Sequence, residues 1–169
     1  NTYNMLKLTE HLFAWQPAAR LLDYYERALY NQILGSQDPR TGMFTYFQSL
    51  RPGGFKLYSN PTNAFWCCVG TGMENHTKYG EMIYAHSAEA LWVNLFIPSE
   101  LNWAAKGVQV RQETKFPEGD ATKLTFKCKQ STQFALKLRE PAWASAFVVL
   151  INGAPLKIGG ATQGYVSIE

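Results

Sequence analysis

Apolar and polar positions along the chain follow two different periods, with the change near Glu89. In Thr2–Trp15, Tyr3, Met5, Leu6, Leu8, Leu12 and Phe13 recur at roughly helical spacing between Lys7, Glu10 and His11, which predicts a first helix closed by Pro17. Residues 18–34 predict a second, with Leu21, Leu22, Tyr25, Leu29 and Ile33 on one wide face, Arg20, Asp23, Glu26 and Arg27 on another, and Gly35 as the stop. Two helices joined by a short link imply an antiparallel hairpin, the unit of helical bundles and α/α barrels. Residues 36–63 lose the helical period. Turn signals at Asp38-Pro39-Arg40-Thr41-Gly42 and Arg51-Pro52-Gly53-Gly54 flank short extended candidates at residues 43–47 and 55–58. A third helix is predicted from Met73 to about Ser87.

Beyond Ala90 the period drops to two. Strands are predicted at residues 91–97, 108–114, 123–127, 133–139, 147–151 and 165–168, separated by turns at Pro117-Glu118-Gly119-Asp120 and Asn152-Gly153. Short strands at this spacing suggest an antiparallel β-sandwich. The expected fold is therefore α+β in two parts: helices over residues 1–89 and a β module, complete or not, over residues 90–169.

Charge and composition narrow the functions. A net charge of +3 gives no electrostatic reason to expect nucleic acid or an anionic membrane, and no apolar run reaches the ~20 residues of a membrane-spanning helix. The 14% aromatic share suits a carbohydrate cleft and an ordinary core equally. Three cysteines, Cys67, Cys68 and Cys128, do not make a disulfide framework. Cys128, in an alternating strand, reads as core, and His11 and His86 as structural.

The candidate chemistry is concentrated in Phe65-Trp66-Cys67-Cys68-Val69-Gly70-Thr71-Gly72-Met73-Glu74-Asn75-His76. The glycines predict a tight turn that leaves both cysteines just before a helix N-terminus, where the partial positive charge favours thiolate, the nucleophilic and metal-binding form. Two readings stay open on spacing alone: a reactive or metal-bound pair, and two buried small hydrophobes. Glu74 and His76 are the nearest residues that could complete a metal site, but each also suits a plain role, Glu74 as a first-turn acid and His76 as a surface or packing residue. No Ser-His-Asp order, phosphate loop or His-Glu-x-x-His helix is present.

Five segments carry a resemblance. Asn1-Thr2-Tyr3-Asn4-Met5-Leu6-Lys7-Leu8, Tyr24-Tyr25-Glu26-Arg27-Ala28-Leu29-Tyr30-Asn31, Gly35-Ser36-Gln37-Asp38-Pro39, Gly42-Met43-Phe44-Thr45-Tyr46-Phe47 and, above all, Trp66 to His76 resemble the bacterial β-L-arabinofuranosidases of glycoside hydrolase families 127 and 146. The resemblance is dense over roughly the first hundred residues and looser beyond. It implies the C-terminal helices of an (α/α)6 barrel followed by a β-sandwich, and a retaining exo-hydrolase that removes β-L-arabinofuranose from an arabinose-containing oligosaccharide or glycan. It further implies Cys67 as nucleophile and zinc ligand, Cys68 as zinc ligand, and Tyr46 as a sugar-site residue. The family's other two zinc ligands lie in a Glu-x-Cys segment expected just upstream of Asn1, with the acid/base glutamate further upstream. The 169 residues alone are therefore expected to be inactive, to bind zinc weakly and to expose apolar helix surface. Bacterial cytoplasm and periplasm both fit. The alternative is a non-catalytic carbohydrate-binding or interaction module whose cysteines are merely buried.

Overall fold

The computed structural model describes all residues from Asn1 to Glu169. The chain forms two compact units. One comprises Asn1–Pro17 and Asp23–Glu81; the other comprises Ala18–Leu22 and Met82–Glu169. The architecture is mixed α and β, with helices first and sheets after.

In the first unit, α1 spans Thr2–Trp15 and buries Leu6, Thr9 and Phe13. Thr9 fits this apolar face by returning its hydroxyl to the Met5 carbonyl at 2.8 Å. Extended backbone at Gln16 ends the helix, as expected for a residue that precedes Pro17. The broad apolar stripe is only partly used, for Met5, Leu8, Leu12 and Trp15 are exposed. The helix α2 spans Ala19–Ala28 and runs into a π turn at Leu29–Ile33 and a 3₁₀ turn at Leu34–Ser36, so Gly35 lies inside the closing turn.

Residues 37–66 hold no full strand, only isolated bridges pairing Gln37 with Phe44 and Thr45 with Tyr58. Asp38 builds the turn between the first pair. Its carboxylate accepts from the Arg40 N–H at 3.1 Å and the Thr41 hydroxyl at 2.8 Å, its carbonyl accepts from the Gly42 N–H, and Gly42 sits at φ +76°.

The third helix differs from its prediction at both ends. It begins at Cys67, runs to Asn75 as α3, and is followed by a single turn, α4, at Lys78–Glu81. Residues 84–86, expected as helix, form strand β1 instead, because Tyr84, Ala85 and His86 pair antiparallel with Val93, Trp92 and Leu91. Lys78, almost fully buried, ties α4 to α1. Its ammonium bonds to Glu10 at 3.1 Å and to Glu81, and stands 5.1 Å from the centre of the Tyr3 ring. The Tyr25 hydroxyl, from α2, donates to Glu10 at 3.1 Å and lies 3.2 Å from the Lys78 carbonyl. Burial alone would pull Lys78 down; its bonds to Glu81 and Glu10 more than reverse this.

The second unit carries β1 (Tyr84–His86), β2 (Ala90–Val93), β3 (Ser99–Trp103), β4 (Val108–Thr114), β5 (Thr122–Cys128), β6 (Ala135–Arg139), β7 (Leu150–Ile151), β8 (Ala154–Pro155) and β9 (Tyr165–Ile168). They form a four-stranded sheet in the order β1-β2-β6-β9, a three-stranded meander β3-β4-β5 and a small β7–β8 hairpin. Side chains of the two larger sheets meet in one cluster around Leu91, Trp103, Val108 and Val110. The pairing is not wholly antiparallel as expected: β2 and β6 run parallel, Ala90 opposite Ala135 through Val93 opposite Leu138, because the meander returns the chain in the same direction. Cys128 is exposed rather than core. Leu124 and Phe126 on the same face reach the cluster, but Cys128 lies past its rim at the end of β5.

Candidate functional site

Cys67 and Cys68 occupy the first two positions of α3, behind an extended N-cap residue, Trp66, at φ −81° and ψ 154°. They stand within the first helical turn, not ahead of it. The glycines were expected to turn the chain before the helix; both lie inside it. Gly70 has open space where a side chain would go, whereas Gly72 is buried against the ring of Phe44. Of the first-turn N–H groups, that of Val69 donates to the Trp66 carbonyl at 2.9 Å, while those of Cys67 and Cys68 face the Cys67 sulfur.

Both cysteines are exposed, which removes the reading of buried small hydrophobes. Their sulfurs are 3.8 Å apart, and the Tyr46 hydroxyl lies 3.5 Å from the Cys67 sulfur. Tyr46 comes from the extended segment 43–47, and its ring meets Trp66 edge-on at 5.5 Å between centroids. The structure thus brings Tyr46, Cys67 and Cys68 together, three residues that the sequence reading separated by turns.

The electrostatics are reciprocal. The hydrogen bond from Tyr46 holds the Cys67 thiol below its ordinary range, helped by the Cys68 side chain and the backbone N–H groups of the first turn. Tyr46 is pushed up to about 12, first because it would lose its bond to Cys67 and then because the Cys67 and Cys68 charges oppose a phenolate. Together the two shifts favour negative charge on the Cys67 sulfur rather than on the Tyr46 oxygen, with the phenol as donor.

The sulfur separation bears on metal binding. Two thiolates bound at about 2.3 Å to one tetrahedral zinc lie about 3.8 Å apart. The pair matches that spacing without rearrangement. No group of three or more His, Cys, Asp or Glu side chains converges to hold a metal ion, so this chain offers two ligands. His76 does not turn toward the sulfurs. Its ring packs between Phe44 and Tyr79, at 5.1 and 5.4 Å between centroids. Glu74 is exposed on α3, and His11 and His86 are exposed elsewhere.

Two participants escaped the sequence reading: Trp66, which flanks Tyr46, and the contact of Phe44 with Gly72. The signal was the alternation Phe44-Thr45-Tyr46, which puts both rings on one side of an extended segment.

Comparison with known proteins supports the same family on both parts of the chain. Residues 1–81 match the β-L-arabinofuranosidase GH127 catalytic domain and residues 90–169 match the GH127 middle domain. No curated protein sequence matches. Among solved structures, a GH127 β-L-arabinofuranosidase from Geobacillus stearothermophilus T6 aligns over 97% of this chain and 28% of its own, at 24% identity and TM-score 0.80. A second, described as a GH127 β-arabinofuranosidase, aligns over 99% and 29%, at 24% identity and TM-score 0.82. A third, described as a glycoside hydrolase, aligns over 99% and 29%, at 19% identity and TM-score 0.81. These structural likenesses show a shared fold, and the chain spans under a third of the length of each of these proteins. With both of its parts matched, the chain belongs to glycoside hydrolase family 127, the β-L-arabinofuranosidase family.

Proposed function

We propose that this chain is part of a retaining exo-glycoside hydrolase that releases β-L-arabinofuranose from a glycan, with Cys67 as the nucleophile. The observation that carries the reading is the exposed Cys67 sulfur, held at a helix N-terminus beside Cys68 and within hydrogen-bond reach of Tyr46. Retaining glycosidases pass through a covalent glycosyl-enzyme, for which a carboxylate is the usual nucleophile. Here the Cys67 thiolate takes that part. It attacks the anomeric carbon, the glycosidic oxygen leaves with a proton from an acid outside this chain, and water then cleaves the carbon–sulfur bond with retention. Tyr46 donates to the sulfur while it is anionic and is read as a sugar-site residue, as the resemblance implies.

Cys67 and Cys68 also fit as two of the four ligands of a zinc ion, the other two being expected from a Glu-x-Cys segment upstream of Asn1. Bound zinc would keep both thiols deprotonated near neutral pH and soften the sulfur's basicity, so that it leaves more readily in the second step. The helices of the first unit are read as the C-terminal part of an (α/α)6 barrel and the second unit as its β-sandwich companion.

The test uses the full-length polypeptide and an aryl β-L-arabinofuranoside. Cys67→Ser is expected to abolish sugar release, and Cys68→Ala to lower bound zinc measured by elemental analysis. Unchanged hydrolysis by Cys67→Ser would remove Cys67 from the chemistry. A panel of arabinosides and galactosides tests the sugar, since fold and nucleophile do not fix it.

A further inference from the structure

Segment 43–47 is clamped along its backbone from both edges. The Asp38 and Thr45 N–H groups bond to Met43 and Ser36 carbonyls at 2.8 and 2.9 Å on one side. On the other, the Ser59 N–H donates to the Phe44 carbonyl at 2.8 Å and the Phe44 N–H to the Ser59 hydroxyl at 3.2 Å. The strap therefore has little freedom to slide by itself. It meets α3 at two points. Tyr46 reaches the Cys67 sulfur, and the Phe44 ring lies over Gly72. Those points are five residues apart on the helix, about 7.5 Å of rise. They are two residues apart on the strap, about 6.7 Å. Five residues also turn the helix by about 140°, so Tyr46 and Phe44 meet different flanks of α3; because one clamped strap carries both, displacing the Phe44 ring displaces the Tyr46 hydroxyl with it.

Gly72 has no conformational reason to be glycine, since its φ is not positive. In mid-helix, alanine is the better helix former. What alanine cannot do is fit: a Cβ there would stand 2.8 Å from Phe44 Cγ and 3.0 Å from Cδ2. Gly70, two residues earlier in the same helix, would meet nothing within 4 Å.

We propose that Gly72 and Phe44 are the positioning pair of the site: the bare Cα of Gly72 lets the Phe44 ring close onto α3, and that contact sets the Tyr46 hydroxyl against the Cys67 sulfur. Neither residue touches the reacting atoms; both act through Tyr46. The consequence for turnover rests on the proposed role of Cys67, whereas the geometry does not.

The experiment measures alkylation of Cys67 by iodoacetamide in the metal-free full-length polypeptide at fixed pH, read by peptide mass spectrometry, with far-UV circular dichroism as the fold control. Gly72→Ala is expected to slow Cys67 alkylation by the same factor as Tyr46→Phe, and Gly70→Ala to leave it unchanged. In a Phe44→Ala background, adding Gly72→Ala should change nothing further, because the ring it collides with is gone. A natively folded Gly72→Ala that alkylates at the wild-type rate overturns the proposal, as does an effect of Gly72→Ala that persists undiminished without Phe44. If Gly72→Ala does not fold, Phe44→Ala decides: slowing to the Tyr46→Phe rate supports the pair, and a wild-type rate overturns it. On an aryl β-L-arabinofuranoside, Gly72→Ala should lower kcat/KM. No hydrolysis by the wild-type polypeptide would refute the arabinofuranosidase reading and leave the alkylation series to judge the positioning pair.

Discussion

Replacing Lys78 by methionine removes one charge from a nearly closed site while keeping a stem of similar length. The ammonium has only 4% of its side chain exposed, against 25% for Glu10 and 37% for Glu81. A hydrogen bond between charged groups at this burial contributes about 1.5–3 kcal/mol, which is the Glu10 share. Glu81 is just over a third exposed, so solvent screening cuts its share to about 0.5 kcal/mol. The Tyr3 ring adds ~0.5 kcal/mol. Burial and then its contact with Glu81 already push Glu10 up, and without the Lys78 cation that pulls it down it rises further, which softens the loss. The net expectation is a loss of about 2–3 kcal/mol, a large share of the ~5–15 kcal/mol that holds a domain together. All of α1, α3 and α4 lies in the first unit, so urea unfolding followed by the helical far-UV signal reports on it. With a slope near 2 kcal/mol per molar, the midpoint should fall by about 1–1.5 M. The wild-type protein should also lose stability in alkali. Lys78 is raised in the fold, so its contribution is whole below the ordinary lysine value of ~10.4 and disappears as pH climbs through the folded value. Tyr25, raised by burial and then by Glu10, adds to the same decline, which Lys78→Met should shrink. A midpoint shift under ~0.2 M would mean that the α1–α4 junction is held by apolar packing and that the ion cluster contributes nothing.

Three further expectations follow from other parts of the chain. Tyr46→Phe should move the pH midpoint of Cys67 alkylation upward, because the phenol's hydrogen bond is the first cause that holds the thiol below its ordinary range; an unmoved midpoint would show that Cys68 and the helix amides suffice. Val110→Ala should cost about 2 kcal/mol, as Val110 is 1% exposed in the cluster with Trp103, and tryptophan fluorescence during urea unfolding measures it. Val148→Ala, with Val148 at 72% exposed, should stay within ~0.5 kcal/mol by the same assay.

Much of the fold could be read locally. The first helix matches its apolar period from Thr2 to Trp15, and β4 and β9 match their alternation at Val108–Thr114 and Tyr165–Ile168. What failed depends on distant partners. Gly70 and Gly72 read as a turn because glycine usually marks one, yet Gly72 is glycine because Phe44, 28 positions away in sequence, needs the space. Ser99–Trp103 does not read as a strand because Ser99, Glu100 and Asn102 dilute its alternation; it is one through its register with Val108–Gln112. Period two tells which face a strand buries but not its neighbour, so the parallel match of β2 with β6 was invisible. The thiols were found from residue type and motif. Their exposure, and the phenol that faces one of them, required the packed structure.

The parallel register of β2 and β6 has a consequence for how this fold can grow. Between them the chain leaves one sheet, completes the β3-β4-β5 meander and comes back, so the four-stranded sheet closes a loop of more than forty residues. The entropy of closing such a loop rises only logarithmically, about 0.6 kcal/mol for each doubling in length. Extra residues in the return segment 129–134 should therefore be nearly free thermodynamically, provided Phe134 keeps its place in the cluster. The crossover leaves room for added loops without disturbing the register of the strands on either side.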